Sequence, residues 1–357
     1  MIAREFVRPA RWIVLILFFV TVGIASADDK PLSRIAFGSC AKQDKPQPIW
    51  NAIQVSDPQL FLFIGDNIYG DTRDMAALKA KWAKLGAQSG YQKLKASVPI
   101  LATWDDHDYG ENDAGSEYPK KVESQQIFLD FFEEPADSPR RKREGVYLSK
   151  MFGPENQRVQ VLLLDTRYFR SPLIPQKWQA EPGSGQHGVY LPNTNADATM
   201  LGEAQWKWLE DQLNKPAKLR IIASSIQVVA DQHGWEKWGL MPHQRERLFD
   251  LIRKTKANGV ICISGDRHHA EISRLPAGVV GYPIYDVTSS SLNEPSQWRN
   301  ELNEHRVGVV YHPENFGMIQ IDWQADDPTI RLQVRSMKND VVLQTKTSLN
   351  KLQHPTE

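Results

Sequence analysis

The chain of 357 residues has only two cysteines, Cys40 and Cys262, which excludes a disulfide scaffold and leaves room for one bridge or one metal thiolate. It also lacks net charge. Lys+Arg and Asp+Glu both number 43, so no global basic field exists to hold a nucleic-acid backbone or an anionic membrane, and partners must be sought at a local site. Long apolar runs are missing apart from residues 12–24, and no internal repeat, linker or low-complexity tract marks a second domain. With 41% hydrophobic and 24% charged residues and a mean hydropathy of −0.47, neither a disordered chain nor a multi-span membrane protein fits. Eleven tryptophans point to a thick core.

The one apolar run is preceded by Arg4, Arg8 and Arg11 and followed by Ala25-Ser26-Ala27, the small-x-small pattern of a signal-peptidase site. Residues 1–27 are therefore expected to be a cleaved secretory signal, since an uncleaved anchor wants about 20 apolar residues. No twin-arginine pair precedes the run, which favours a Sec-type route to the periplasm, the cell envelope or the medium, with metals acquired outside the cytoplasm. Removing this segment leaves 40 basic and 42 acidic side chains. The remainder, 28–357, reads as a single domain with no further membrane span.

From residue 33 onward, apolar runs alternate with amphipathic stretches, which is α/β patterning. Residues 34–40, 60–66, 99–106, 159–165, 219–225 and 260–266 read as buried strands, and residues 75–94, 122–132, 203–213 and 243–254 as helices with apolar spacings of three and four. After Ser273 the runs 282–287, 316–323, 329–337 and 341–345 read as consecutive strands, with a hairpin turn at residues 338–340. Two sheets packed face to face with helices outside accommodate both halves. The Pro-, Gly- and Asn-rich stretch 171–199 is long for a connector, and either lines a site or runs through solvent.

Ligands in open α/β sheets gather outside the carboxyl ends of the strands. Those ends carry Cys40, Asp66, Asp105-Asp106-His107-Asp108, Asp165 and Gly265-Asp266-Arg267-His268-His269. So many carboxylates in one place raise one another's pKa and destabilise the fold unless cations neutralise them, so the cluster argues for bound metal. Asp165 alone reads as a cap or turn former. Tyr69 follows Asp66 by three residues, close enough for both to reach one ion. A phenolate with a Cys40 thiolate favours a strongly Lewis-acidic ion such as ferric iron, whereas carboxylates prefer harder divalent cations. For Tyr69 a satisfied core tyrosine, and for Cys40 a small buried residue or a disulfide with Cys262, stand as alternatives. Cys262 itself sits in an apolar run and reads as core.

The Gly-Ser-Cys ending at Cys40, Gly65-Asp-Asn-Ile-Tyr69, Trp104-Asp-Asp-His-Asp108, Leu164-Asp-Thr-Arg167 and Gly265-Asp-Arg-His-His269 stand in an order that resembles the PhoD-like alkaline phosphatases of the calcineurin-like metallophosphatase superfamily. The resemblance runs from about residue 34 past Trp323 and includes Asn315-Phe-Gly317 before a strand. Because Arg34 follows so closely on Ala27, the extra N-terminal β domain of some members is expected to be missing.

The resemblance implies a four-layer αββα sandwich with iron and calcium at the strand ends, hydrolysing phosphate monoesters, diesters or both through a metal-activated hydroxide. It implies Cys40, Asp66, Tyr69 and His268 as holders of Fe³⁺, with Asp66 bridging to Ca²⁺ that Asp106 and Asp266 also hold. Asn112 would complete the calcium shell or touch phosphate, Arg167 would stabilise the equatorial oxygens, and His107 would be the general acid. Arg170 is expected in a surface salt bridge. His269, one residue from a ligand, is expected on the opposite face. Ser225 and Gln227 stand where many metallophosphatases carry a metal-binding His. The loop histidines His187, His233, His305 and His312 are expected to be solvated.

The sequence also admits a phosphodiesterase specialised for lipid or teichoic-acid-like polymers, a non-catalytic secreted calcium- or phosphate-binding protein, and a glycosidase with paired acids. The binding protein would be expected to lose His107 or Arg167. The glycosidase leaves Cys40, Tyr69 and the Gly-Asp-x-His segment without a purpose.

Overall fold

Along Leu60–Ile64, the side chains of Leu60, Leu62 and Ile64 join one buried apolar cluster while Phe61 and Phe63 join another. Period-two alternation with both faces apolar demands cover on both sides, and that sets the layering. The computed structural model describes residues 30–176, 188–296 and 301–355. The expected signal segment and His187 lie outside the described residues.

In chain order the elements are β1 (Arg34–Gly38), α1 (Ile49–Val55), β2 (Leu60–Ile64), α2 (Met75–Gly86), α3 (Ser89–Ser97), β3 (Ile100–Thr103), α4 (Asp106–Tyr109), α5 (Lys121–Phe131), β4 (Leu148–Phe152), β5 (Val159–Leu163), β6 (Ile174–Pro175), β7 (Tyr190–Leu191), α6 (Gly202–Leu213), β8 (Leu219–Ala223), α7 (Pro242–Lys254), β9 (Val260–Ser264), β10 (Ala270–Leu275), β11 (Ile284–Ser289), β12 (Asn315–Asp322), β13 (Thr329–Ser336) and β14 (Val341–Ser348). One six-stranded sheet has the order β14-β13-β12-β1-β2-β3 and the other β10-β11-β9-β8-β5-β4. Strands β1, β2 and β3 run parallel, as do β5, β8, β9 and β11. Each sheet therefore sends its carboxyl ends to one rim.

Between the sheets, Ile35, Phe37, Leu62 and Ile64 share a cluster with Val161, Ile221, Ile261, Ile319 and Leu332, which continues to Trp206 and Leu209 of α6 and Leu248 and Ile252 of α7. The outer face of the first sheet, with Ala36, Phe61 and Phe63, is covered by Trp50 of α1, Trp82 of α2, Tyr91 of α3 and Phe128 of α5. This is the expected αββα arrangement. Trp50, Trp82, Trp104, Trp206 and Trp238 are sealed inside, each removing roughly 150–250 Å² from water, so the tryptophan count does mark a thick core.

Three departures from the sequence reading have local causes. The stretch read as one helix over 75–94 is two helices that break after Gly86; Asp74 caps the first, its Oδ1 accepting from Ala76 N at 2.8 Å. The end of the 99–106 run is not strand but the single turn α4, closed by a capping box in which Asp105 N donates to Asp108 Oδ1 at 2.5 Å. β4 and β10 are strands that the pattern did not single out. The hairpin turn at 338–340 is present, with Asn339 in the left-handed region at φ 64°. Cys40 and Cys262 are both buried and free, so the disulfide alternative is not realised. Among the described residues, no helix is long and apolar enough to cross a membrane.

Candidate metal centre

The first three parallel strands end at Cys40, Asp66 and Asp105-Asp106, and β9 of the other sheet ends at Asp266, so the two rims meet over one set of acids. The backbone there is bent out of ordinary geometry. Cys40, Asp66, Asp266 and His268 adopt φ of 59°, 48°, 68° and 57°, a region that side-chain-bearing residues enter rarely and at a cost of about 1–3 kcal/mol each. Four strained positions on four proposed ligands mean that the surrounding fold holds these side chains inward. Gly65 and Gly265 make room for the approach: a Cβ at Gly65 would lie 2.6 Å from Asp105 Cβ, and one at Gly265 2.5 Å from Ser39 Oγ.

Cys40, Asp66 and His268 each bring a ligand atom within 4.8 Å of the others, and so do Asp66, Asp105, Asp106 and Asp266. Asp66 belongs to both groups. Cys40 Sγ lies 3.2 Å from Asp66 Oδ2 and 3.1 Å from Ser290 Oγ, and the same Ser290 hydroxyl accepts from His268 N at 2.9 Å. His268 is oriented further by its Nδ1, 2.5 Å from Glu294 O. The Tyr69 ring packs beside those of His107 and His268, with centroids 4.3 and 6.3 Å away.

Burial and mutual repulsion make the cluster costly by itself. Burial first, then Cys40 and the neighbouring acids, push Asp66 well above the carboxylate range. Burial raises Asp105 as well, despite Arg167, and brings Asp266 to about 6 and the Cys40 thiol to about 11. Tyr69 is raised by burial and then by Cys40 and Asp66. Asp106 differs: burial opposes its charge, but His107, Arg167 and the Asp113 N–H, 2.7 Å from Oδ2, outweigh it and hold it below the usual range. The buried atoms Asp66 Oδ1, Tyr69 Oη, Asp105 Oδ2 and Asp106 Oδ1 have no hydrogen-bond partner among the described residues. Orphaned buried acceptors of this kind are what cations satisfy, so thiolate, phenolate, imidazole and carboxylates fit a hard or borderline ion.

His107 sits in α4 at the edge of the cluster, grouped with Asp66 and Asp106, and its Nδ1 lies 2.7 Å from Asp71 Oδ1. Burial works against its charge, yet Asp106, Asp66 and Asp71 together raise it to about 11. Arg167 is not at an open surface. Its fully buried guanidinium donates from Nε to Asp105 Oδ1 at 2.6 Å and from Nη1 to Glu236 Oε1 at 2.8 Å. Arg170, expected in a surface salt bridge, is likewise buried and shares Glu236 at 3.3 Å, a partner that tertiary packing brings to it from far along the chain. Asn112 is exposed, and it is the next residue, Asp113, that joins Asp106 and Glu236 in a further acidic group. Burial first, then Glu236 and Asp106, raise Asp113 to about 8.

Asp165 is the turn former expected of it, accepting from Val146, Arg167 and Tyr168 N–H groups at 2.8, 2.9 and 2.9 Å. Ser225 donates to Asp105 Oδ1 at 2.6 Å, and Gln227 ties Glu271 and Thr288. His233 is buried instead of solvated, with Nε2 2.9 Å from Gln227 Oε1. His269 is buried outside the ligand groups. Sequence reasoning missed Glu236, Asp113 and Ser290. None stands in a motif, and Glu236 is 69 residues from the arginine it meets.

The family model described as PhoD-like phosphatase matches residues 35–324. Alkaline phosphatase D of Bacillus subtilis is 24% identical over 212 residues, which cover 54% of this chain and 35% of the relative, so the chain spans about a third of that relative's length. Among solved structures, one of PhoD superposes with a TM-score of 0.70 at 16% identity, covering 91% of this chain and 70% of the other. The purple acid phosphatase from yellow lupin (Lupinus luteus) seeds gives 0.60 at 14% identity, covering 90% and 54%. A dimetal phosphatase from Danio rerio gives 0.53 at 14%, covering 90% and 100%. These structural likenesses show the shared αββα fold. With the family model matched across most of its length, the chain belongs to the PhoD-like phosphatases.

Proposed function

We propose that this chain is an exported metal-dependent phosphoesterase that hydrolyses phosphate monoesters, diesters or both. The observation that carries the reading is the sharing of Asp66 between two ligand groups, one with a thiol and an imidazole, the other all carboxylate. Cys40, Asp66, Tyr69 and His268 would hold Fe³⁺, a strongly Lewis-acidic ion suited to a phenolate and a thiolate, and Asp66, Asp106 and Asp266 would hold Ca²⁺, which takes oxygen ligands. Such ions supply Lewis acidity at the phosphoryl oxygens and lower the pKa of water.

The chain's own residues supply the rest. His107, held through Nδ1 by Asp71, is poised to protonate the leaving alkoxide from its other ring nitrogen, a task that typically contributes about 10²–10⁴-fold. Arg167, paired with Asp105 and Glu236, would hold those carboxylates in place and stabilise the equatorial phosphoryl oxygens. Asn112, exposed beside Asp113, is assigned to the substrate approach.

Elemental analysis of the exported protein, with its absorption spectrum and its hydrolysis of p-nitrophenyl mono- and diesters, tests this reading. Iron with a visible charge-transfer band and calcium-dependent turnover supports it. Metal without turnover on either ester favours a binding protein.

A further inference from the structure

The cations around the ligand cluster differ in how far they are committed. Arg167 and Arg170 are buried and share Glu236. Arg267, also buried, pairs with Glu301 and lies 3.1 Å from Asp266 Oδ2. Lys81 Nζ donates to the carbonyls of Tyr69 and Gly70 at 3.0 and 2.7 Å, and Lys45 Nζ lies 2.7 Å from Glu294 Oε2.

Lys42 stands apart. Its Nζ lies over the Tyr69 ring, 5.1 Å from the centroid, and the side chain is 37% exposed. Its ion pair is at the outer limit, 3.9 Å to the Glu294 carboxylate that Lys45 already neutralises. The root of the side chain is nevertheless fixed. Lys42 N donates to Asn293 Oδ1 at 2.6 Å, and Lys42 O accepts from Asn293 Nδ2 at 2.9 Å and Gln47 Nε2 at 3.2 Å. Asn293 N in turn donates to Cys40 O at 3.2 Å, so one asparagine ties Lys42 to the proposed ligand two residues earlier. A pinned backbone under a partly exposed ammonium, above a proposed ligand, is a layout for meeting an anion that arrives from solvent.

We infer that Lys42 is a substrate-binding residue whose ammonium contacts a non-bridging oxygen of a phosphoryl group seated at the cluster, and that it favours monoesters over diesters. The inference rests on the phosphoesterase reading above. A monoester dianion presents one more unit of negative charge to the lysine than a diester does, and a charge-assisted contact at a partly exposed site registers that difference.

The test uses the metal-loaded full-length protein and its Lys42→Ala and Lys42→Arg variants. Inorganic phosphate binding is measured by calorimetry, metal content by elemental analysis, and KM and kcat on p-nitrophenyl phosphate and bis(p-nitrophenyl) phosphate. Lys42→Ala weakens phosphate binding and raises the monoester KM about tenfold, with metal content unchanged and the diester KM raised less than about threefold. Lys42→Arg keeps most of the binding. Phosphate affinity in Lys42→Ala within about twofold of wild type, or loss of metal from that variant, overturns the assignment; equal losses on the two esters overturn the monoester preference. Failure of the wild-type protein to bind phosphate would instead overturn the reading beneath it.

Discussion

The guanidinium of Arg167 lies 2.8 Å from Glu236, and both side chains are sealed from solvent. Glu236 also faces Arg170 at 3.3 Å, while Arg167 reaches across to Asp105. An ionic frame of this kind stands behind the acids of the two rims and fixes their spacing. Breaking such a frame from one side leaves charge buried without compensation.

Glu236→Ala is therefore expected to cost about 3–5 kcal/mol of stability, because two buried arginines lose their shared partner. Glu236→Gln, which keeps the shape and one acceptor, costs less. Chemical denaturation checks this, and an unchanged midpoint for Glu236→Ala would contradict the frame.

Asp66→Ala removes the one residue that both ligand groups share, so both ions and turnover are expected to go together. Metal content per chain is the measurement. Full iron content with undiminished turnover would end the bridging assignment.

His107→Asn is expected to keep metal but to slow alkyl phosphates more than p-nitrophenyl phosphate, whose leaving group needs no proton. Equal slowing of the two esters would remove His107 from the acid role.

His233 gives a pH signature away from the ligands. Burial holds its folded pKa well below the ordinary 6.5, with Glu301 only partly opposing. A base with a depressed folded pKa is stable in its neutral form, so its contribution is present above about pH 6.5 and is lost as pH falls below it, by at most about 1.4 kcal/mol per pH unit. Between pH 7 and pH 5 the wild type should lose more stability than His233→Gln. Parallel urea midpoints for the two proteins would show that His233 does not titrate in this window.

The sequence carried the layering because strands such as Leu60–Ile64 are apolar on both faces, which only a covered sheet permits. It carried the gathering at the rim of Cys40, Asp66, Asp106, Asp266 and His268 because each sits just past a strand or within a motif whose order has meaning. It did not carry the burial of Arg167 and Arg170, since no local pattern says that Glu236 will fold back between them. Nor did it single out Ser290, which touches Cys40 and orients His268 only because β11 runs beside β9 in the same sheet. Side chains within motifs were legible; the partners supplied by distant loops were not, because tertiary packing alone places them.

The proposed dependence of phosphoester hydrolysis on ions at the shared Asp66 cluster is tested most directly by p-nitrophenyl phosphate turnover before chelation, after chelation and after reloading with iron and calcium. Turnover is expected to disappear with the metals and to return with them. Turnover that survives complete removal of metal, or none at any stage in a folded and fully loaded protein, would contradict that dependence.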